Sequence, residues 1–220
     1  MSILVIDVGG NNAKLKLSDN DEVRKFPSGP ELTPTALVEG VREATKDWNY
    51  DRISIGYPGP VNQERILLEP VNLGRGWVGF DFSAAFGKPV RLINDAAMQA
   101  LGSYDGGRML FLGLGTGLGT TLIVDGVVAP MEIGHLPYKK SRSFEDYVGN
   151  AGLKRMGKKK WRVVVADVVA RLRHAFIADY VVLGGGNVKK LDELPPDCRA
   201  GDNSRAFIGG ARLWEKDAQN

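Results

Sequence analysis

The spacing of apolar and polar positions changes period several times along the chain. Residues 3–7, Ile-Leu-Val-Ile-Asp, form an unbroken apolar run that ends on a carboxylate, as a buried strand does. Gly9, Gly10, Asn11 and Asn12 follow, and residues 13–18 then alternate like the partner strand of a hairpin. A third strand is expected at 22–26. Residues 32–48 repeat Leu37, Val41, Ala44 and Trp48 at helical spacing. Thr33 is placed to cap that helix, and Pro34 suits its first position. Strands are expected at 52–56 and 90–93, a loop-like stretch at 61–80, and a helix opening directly at 94–101.

The pattern then restarts. An apolar strand at 109–113 meets a glycine turn at 114–117, a partner strand at 120–126 and a short third strand at 127–129. A helix is expected at about 158–177, with Trp161, Val165, Val168, Leu172 and Phe176 on one face. Residues 180–186 form a buried strand ending in Gly184, Gly185 and Gly186, and 204–214 a last helix. Both halves open with strand, glycine turn, strand. The expectation is two similar α/β domains, 1–103 and 104–220, with a ligand cleft between them and the last helix free to pack back on the first.

Composition narrows the function. A 43% hydrophobic, 25% charged chain is ordinary for a globular protein, and a net charge of +3 is too small to imply nucleic acid. That charge is uneven. Residues 1–100 carry 11 Lys/Arg against 13 Asp/Glu, whereas 101–220 carry 18 against 13, with the excess concentrated at 154–162. Cys198 is the one cysteine, and His135 and His174 are the two histidines. This leaves no disulfide within the chain and no set of side chains for zinc. No apolar run approaches the roughly 20 residues of a membrane span, and no leader pattern opens the chain. A cytoplasmic protein without membrane or nucleic-acid partners is expected.

Two glycine turns in matching places point to phosphate. Backbone N–H groups in such turns form a concave nest for anionic oxygens, and a Cβ would block close approach. Gly9, Gly10, Asn11 and Asn12 are one candidate set; Gly115, Thr116 and Gly117 are the other. A plain hairpin turn remains the structural alternative for each. Residues 113–119 do not fit the dinucleotide fingerprint, because Leu118 takes the last glycine's place and a strand follows instead of a helix. Residues 152–159 miss the P-loop pattern at Lys159. Asp7, at a strand end beside a phosphate nest, suits Mg2+ held through water; a turn-capping aspartate is the alternative. Lys14 is either a counter-charge for phosphate or a solvated strand lysine.

The motifs together resemble the ROK family of sugar kinases, of the actin–hexokinase superfamily, over nearly the whole chain. DVGGNNAK resembles the family's first phosphate motif, LGLGTGLG the second, and VVLGGG the adenosine-side motif. GYPGPV and NLGRGW resemble sugar-side loops, LINDA the catalytic segment, EIGH the sugar motif, and FEDYVG the Glu-x-Tyr segment that follows it. The short chain lacking a cysteine cluster resembles the polyphosphate/ATP glucokinase branch most. The resemblance implies two actin-like (ribonuclease H-like) domains, with phosphoryl transfer from ATP or inorganic polyphosphate to a hexose, glucose giving glucose 6-phosphate. It also implies Mg2+ and no zinc, Asp95 as catalytic base, and Gly184, Gly185 and Gly186 beside the nucleotide. The partners are then a hexose, a nucleotide or polyphosphate and, as an open alternative, a second copy in a homodimer.

Residue chemistry is compatible with this. Sugar hydroxyls need amides, carboxylates and imidazole as partners, and Asn72, Asn94, Asp95, Glu132, His135 and Glu145 offer that set. Structural alternatives stand beside it: Asn94 or Asp95 as a helix cap, and Glu145 as an early residue of a helix capped by Ser143. The chain departs from the family at Asn11, where Thr or Ser is usual, and in residues 136–143, a short loop in place of a zinc-binding cysteine cluster. A non-catalytic sugar- or nucleotide-binding sensor of the same fold is the rival reading, and an assembly ATPase a third. The basic run Lys154, Arg155, Lys158, Lys159, Lys160 and Arg162 is expected either to hold a polyanion or to be a solvated helix start.

Overall fold

The computed structural model describes residues 2–215. The chain divides into two compact units. One runs through Met98 and takes up the chain again from Ala206; the other is Gln99–Arg205.

The first unit is built on a five-stranded sheet. Strand β1 (Ile3–Val8) pairs antiparallel with β2 (Asn12–Leu17), which pairs with β3 (Val23–Pro27). Helix α1 (Pro34–Ala44) precedes β4 (Arg52–Tyr57), which lies parallel to β1. A small hairpin, β5 (Val61–Asn62) with β6 (Arg65–Ile66), and the one-turn helix α2 (Phe82–Phe86) lead to β7 (Val90–Asn94), parallel to β4. Helix α3 (Asp95–Ser103) follows with no intervening loop. The strand order is β3-β2-β1-β4-β7.

Thr33 caps α1 by accepting the Ala36 N–H at 3.2 Å, and Pro34 sits in the first turn. The helix is shorter than its apolar spacing predicts. The Thr45 N–H and hydroxyl both donate to the Val41 carbonyl, at 2.9 and 2.7 Å, and close it, so Trp48 lies beyond its end. Leu37, Val38 and Val41 bury the inner face of α1 against the sheet core of Leu4, Ile6, Leu15, Ile53 and Ile55.

The second unit repeats the plan. Strands β8 (Arg108–Leu114), β9 (Leu118–Val124) and β10 (Val127–Met131) form an antiparallel meander. A 3₁₀ turn at Ile133–His135 leads into the hairpin β11 (Pro137–Lys139) and β12 (Arg142–Ser143), then helices α4 (Phe144–Val148) and α5 (Asn150–Ala175). Strand β13 (Tyr180–Gly184) runs parallel to β8, and β14 (Cys198–Ala200) parallel to β13. The order β10-β9-β8-β13-β14 reproduces the first sheet in both sequence and direction.

Helix α5 starts at Asn150, well before the expected 158. Its backbone leaves helical geometry at Gly157 (φ 74°, ψ 160°) and restarts at Lys158. The glycines at 152 and 157 and the dense charge between them hide the first segment's periodicity. The second segment buries Trp161, Val165, Val168 and Leu172. No helix among the described residues is long and apolar enough to cross a membrane.

The last helix, α6 (Arg205–Arg212), belongs from Ala206 onward to the first unit. Ser54 on β4 holds it, donating to the Gly210 carbonyl at 2.6 Å while accepting the Trp214 indole N–H at 2.8 Å. Gly210 carries no Cβ because one would overlap the Val5 side chain.

Candidate functional site

In the first unit the candidate phosphate turn links β1 to β2. The Gly9 N–H donates to the Asn12 carbonyl at 3.1 Å and closes the turn. Ser28 braces it from outside: its hydroxyl donates to the Gly9 carbonyl at 2.5 Å and its N–H to the Asn11 carbonyl at 3.0 Å. Gly10 and Asn11 stand exposed at the tip, and a Cβ at Gly10 would lie 3.7 Å from the Cβ of Asn72. The structure therefore brings the exposed side chain of Asn72 to this turn.

The loop that carries Asn72 is organised by Glu69. Its carboxylate accepts the N–H groups of Gly76, Trp77 and Val78 at 3.1–3.2 Å. Burial pushes that carboxyl upward, but the three donors and Arg75 outweigh it, so its pKa lies below the ordinary value. Gly74 pins the loop's other side to the Leu32 carbonyl at 3.1 Å.

Asp7 faces Lys14 across the hairpin, carboxylate to ammonium 3.7 Å. Burial raises its pKa above the usual value, against the pull of Lys14. Mg2+ is ordinarily held by one or two carboxylates with phosphates and waters completing its shell. A half-buried carboxylate beside an exposed turn of backbone N–H groups fits that role; among the described residues no group of three His, Cys, Asp or Glu side chains is arranged for a metal.

Asn94 and Asp95 stand where β7 becomes α3. The Asn94 Oδ1 accepts the Ala97 N–H at 3.0 Å and so caps the helix, while its Nδ2 donates to the Gly59 carbonyl at 3.0 Å. One N–H and one lone pair of this amide are left for a ligand. Asp95 accepts the adjacent Ala96 N–H at 2.7 Å. On β4, Gly56 leaves room for Met98 of α3: a Cβ there would overlap the Met98 side chain.

The second unit brings together three separate stretches of the sequence. The turn at Gly115, Thr116 and Gly117 joins β8 to β9, with the Gly115 N–H donating to the Gly117 carbonyl at 3.2 Å. A Cβ on Gly115 would meet nothing within 4 Å, so packing within the protein does not account for that glycine. A Cβ on Gly117 would overlap the carboxylate of Glu145. Glu145 Oε1 lies 3.6 Å from His135 Nε2, and Glu132 Oε2 lies 3.9 Å from His135 Nδ1. The imidazole thus stands between two carboxylates, next to the turn. Burial raises the pKa of Glu132; His135 opposes the shift and Glu145 reinforces it. Ser143 does cap α4, in a capping box with Asp146, which leaves the Glu145 carboxylate to point at His135 and Gly117.

The glycines at the end of β13 and just beyond it divide by role. Cβ atoms on Gly184 and Gly185 would overlap Phe111 and the Leu114 carbonyl respectively, so both serve close packing. Gly186 faces open space.

The ROK family model matches residues 3–153. The chain belongs to the ROK family. In a 213-residue alignment it is 25% identical to the polyphosphate glucokinase of Mycobacterium tuberculosis, with 87% of this chain and 80% of that protein covered. It is similar to the inorganic polyphosphate/ATP-glucomannokinase of Arthrobacter sp. strain KM, at a TM-score of 0.81 and 23% identity over 100% of this chain and 99% of the other. A ROK family glucokinase from Streptomyces griseus, solved in complex with glucose and AMPPNP, gives a TM-score of 0.74 at 17% identity over 98% and 100%. The two five-stranded sheets are thus those of the actin-like fold of ROK sugar kinases.

Two residues that shape the second turn carry little sequence signal. Asn187 is 5% exposed. Its Nδ2 donates to the Gly115 carbonyl at 3.0 Å and to Asn150 Oδ1 at 2.9 Å, and its Oδ1 accepts the Lys190 ammonium at 2.7 Å. The Asn150 N–H in turn donates to the Gly115 and Thr116 carbonyls, both at 3.1 Å. Asn187 and Asn150 therefore fix the shape of the second turn. The hint was a lone asparagine directly after a glycine run, which reads equally well as a loop residue.

Proposed function

We propose that this ROK protein is a sugar kinase that transfers a phosphoryl group from inorganic polyphosphate or ATP to glucose, giving glucose 6-phosphate. The observation that carries the reading is the contact between Gly117 and the Glu145 carboxylate. It sets a candidate hydroxyl-binding carboxylate directly against the candidate phosphate turn. Phosphoryl transfer depends mainly on positioning and electrostatics, so donor and acceptor groups placed side by side are what the chemistry needs.

In this reading Glu132, His135 and Glu145 of the second unit hydrogen-bond sugar hydroxyls, and Asn72 and Asn94 of the first unit offer amides of the same chemistry. The Asp95 carboxylate accepts the proton of the attacking hydroxyl as its oxygen bonds to phosphorus and the bond to the leaving phosphate breaks. The Gly9 and Gly115 N–H groups close their own turns, the N–H groups of Gly10, Asn11, Thr116 and Gly117 hold phosphate oxygens, and Lys14 offsets their charge. Gly186 leaves room on the nucleotide side. Asp7 would hold Mg2+, which when bound neutralises charge on the transferring phosphates.

Polyphosphate is favoured as a donor by the basic tract of α5, the helix whose first residue, Asn150, bonds the second turn. Arg155 donates to the Asp146 carbonyl, and Arg162 is held by the Lys190 carbonyl and Asp192. Lys154, Lys158, Lys159 and Lys160 are exposed and form no ion pair among the described residues. Clustered like charges of this kind attract a polyanion, and salt screens that attraction.

A matrix of donors against sugars tests the assignment. Polyphosphate and ATP should both phosphorylate glucose at low ionic strength, and the polyphosphate KM should rise more steeply with added salt. Turnover with ATP alone would remove polyphosphate from the assignment.

Gly117→Ala is the sharpest local test. The new methyl must displace the Glu145 carboxylate, whose flexible end can turn away at little cost to the fold. Glucose KM should rise roughly 10-fold or more, the worth of a hydrogen bond to a charged group, while the melting temperature barely changes. An unaltered glucose KM would take Glu145 out of the sugar set.

A further inference from the structure

His135 and Glu145 are joined by the hairpin β11–β12, and this hairpin is not held by its own turn. Lys140 and Ser141 at its tip both have positive φ, 49° and 56°. Two consecutive left-handed residues suit a tight hairpin turn, but without glycine they cost strain that the surroundings must offset. The pairing is also brief, Pro137 with Ser143 and Lys139 with Arg142. The Phe144 N–H donates to the Leu136 carbonyl at 3.1 Å, one residue from each of His135 and Glu145, and a second restraint reaches beyond the hairpin to steady the distance between the imidazole and the carboxylate.

Tyr138, at the middle of β11, is the group that reaches outward to do so. Its ring stacks on Phe144 with centroids 5.0 Å apart and meets Tyr147 edge-on at 5.0 Å. Phe144 and Tyr147 flank Glu145 on α4. The Tyr138 hydroxyl donates to Asp167, six residues beyond Trp161 on α5. Lys139 and Arg171 bond the same Asp167 oxygen at 3.1 and 3.0 Å. Helix α4 is itself tied to α5 where the Trp161 indole N–H donates to the Val148 carbonyl at 2.8 Å. Hairpin and helix α4 are thus referred to one rigid element, and His135 and Glu145 lie on the two arms.

We propose that Tyr138 is a positioning residue for sugar binding, holding His135 and Glu145 at a fixed spacing through its hydroxyl on Asp167. The inference rests on the reading of these two residues as sugar ligands. Lys139 and Arg171 pair with Asp167 near the surface, where ion pairs contribute little. The phenol hydrogen bond to a charged acceptor is the strong member of the cluster. Asp167 is correspondingly held well below the carboxylate range, to about 2, chiefly by Tyr138 and then by Arg171, with Lys139 assisting.

Tyr138→Phe keeps the ring and its stacking and removes only the hydroxyl. Glucose Kd by calorimetry and glucose KM should both rise roughly 3–10-fold, the range a single hydrogen bond spans. Turnover number and donor KM should stay within about 2-fold, the signature of lost ground-state sugar binding. Asp167→Asn retains an acceptor for the phenol and should have a smaller effect; the double variant should be no worse than Tyr138→Phe alone. A Tyr138→Phe protein that melts earlier but binds glucose as before would overturn the proposal, as would equal changes in sugar and donor KM. Wild-type protein that binds glucose without phosphorylating it would sink the kinase assignment while leaving the Kd comparison to decide the role of Tyr138. Wild-type protein that does not bind glucose would end both.

Discussion

Asp95→Asn is expected to lower turnover by about 10²–10⁴-fold, the usual contribution of a general base, with glucose affinity changed only a few-fold. The fold should survive. Asn94, not Asp95, caps α3 through the Ala97 N–H, so removing the Asp95 charge leaves the cap in place. An asparagine at 95 can still accept the Ala96 N–H that Asp95 accepts now. The separation between kcat and Kd is the diagnostic. Turnover assays beside glucose titration by calorimetry measure both, and a variant with near-normal turnover would reduce Asp95 to a helix-start residue.

Gly185→Ala is expected to damage both stability and catalysis. Gly185 has φ 83°, and a Cβ there would overlap the Leu114 carbonyl oxygen and lie 2.7 Å from its carbon. Neither atom belongs to a side chain that can swing away. Left-handed strain and a backbone clash together should cost about 2 kcal/mol or more, a fall in melting temperature of roughly 4–8 °C or more for a chain of this length. The displaced strand end also carries Asn187, whose N–H donates to the Leu114 carbonyl at 3.0 Å and whose amide supports Gly115. Donor KM should therefore rise as well. Gly186→Ala, whose methyl would enter open space, is the matched control and should melt close to wild type. Equal melting temperatures for the two variants would show that the Leu114–Gly185 crossing has more slack than this geometry allows.

What the sequence disclosed is what local chemistry dictates. The run at 3–7, the permissive turn and the alternation at 13–18 specify a hairpin whose register, Asp7 opposite Lys14, needs no distant contact. Thr33 and Pro34 marked the start of α1 for the same reason. Its end is not legible in the spacing, because Thr45 closes the helix with its hydroxyl, whereas the apolar repeat runs on to Trp48. The early start of α5 was hidden because Gly149 and Gly152 at the α4–α5 junction serve close packing. A Cβ on Gly149 would lie 2.6 Å from the Thr116 carbonyl, and one on Gly152 would overlap that of Tyr147. Such crossings have no periodicity.

The candidate site divides the same way. Glu132, His135 and Glu145 were legible as residue types in a motif, and their mutual approach is a product of the hairpin and α4. Ser28, Glu69, Asn150 and Asn187 were illegible. Each acts by satisfying backbone groups of a turn or loop that its own sequence context does not name.

The most direct test of the central claim is to incubate the wild-type protein with glucose, Mg2+ and either polyphosphate or ATP at low salt, and to follow glucose 6-phosphate by mass spectrometry. Repeated turnover with at least one donor, abolished when 6-deoxyglucose replaces glucose, is the predicted result. Saturable glucose binding with no phosphorylated sugar from either donor would contradict it and identify the protein as a sensor of the same fold.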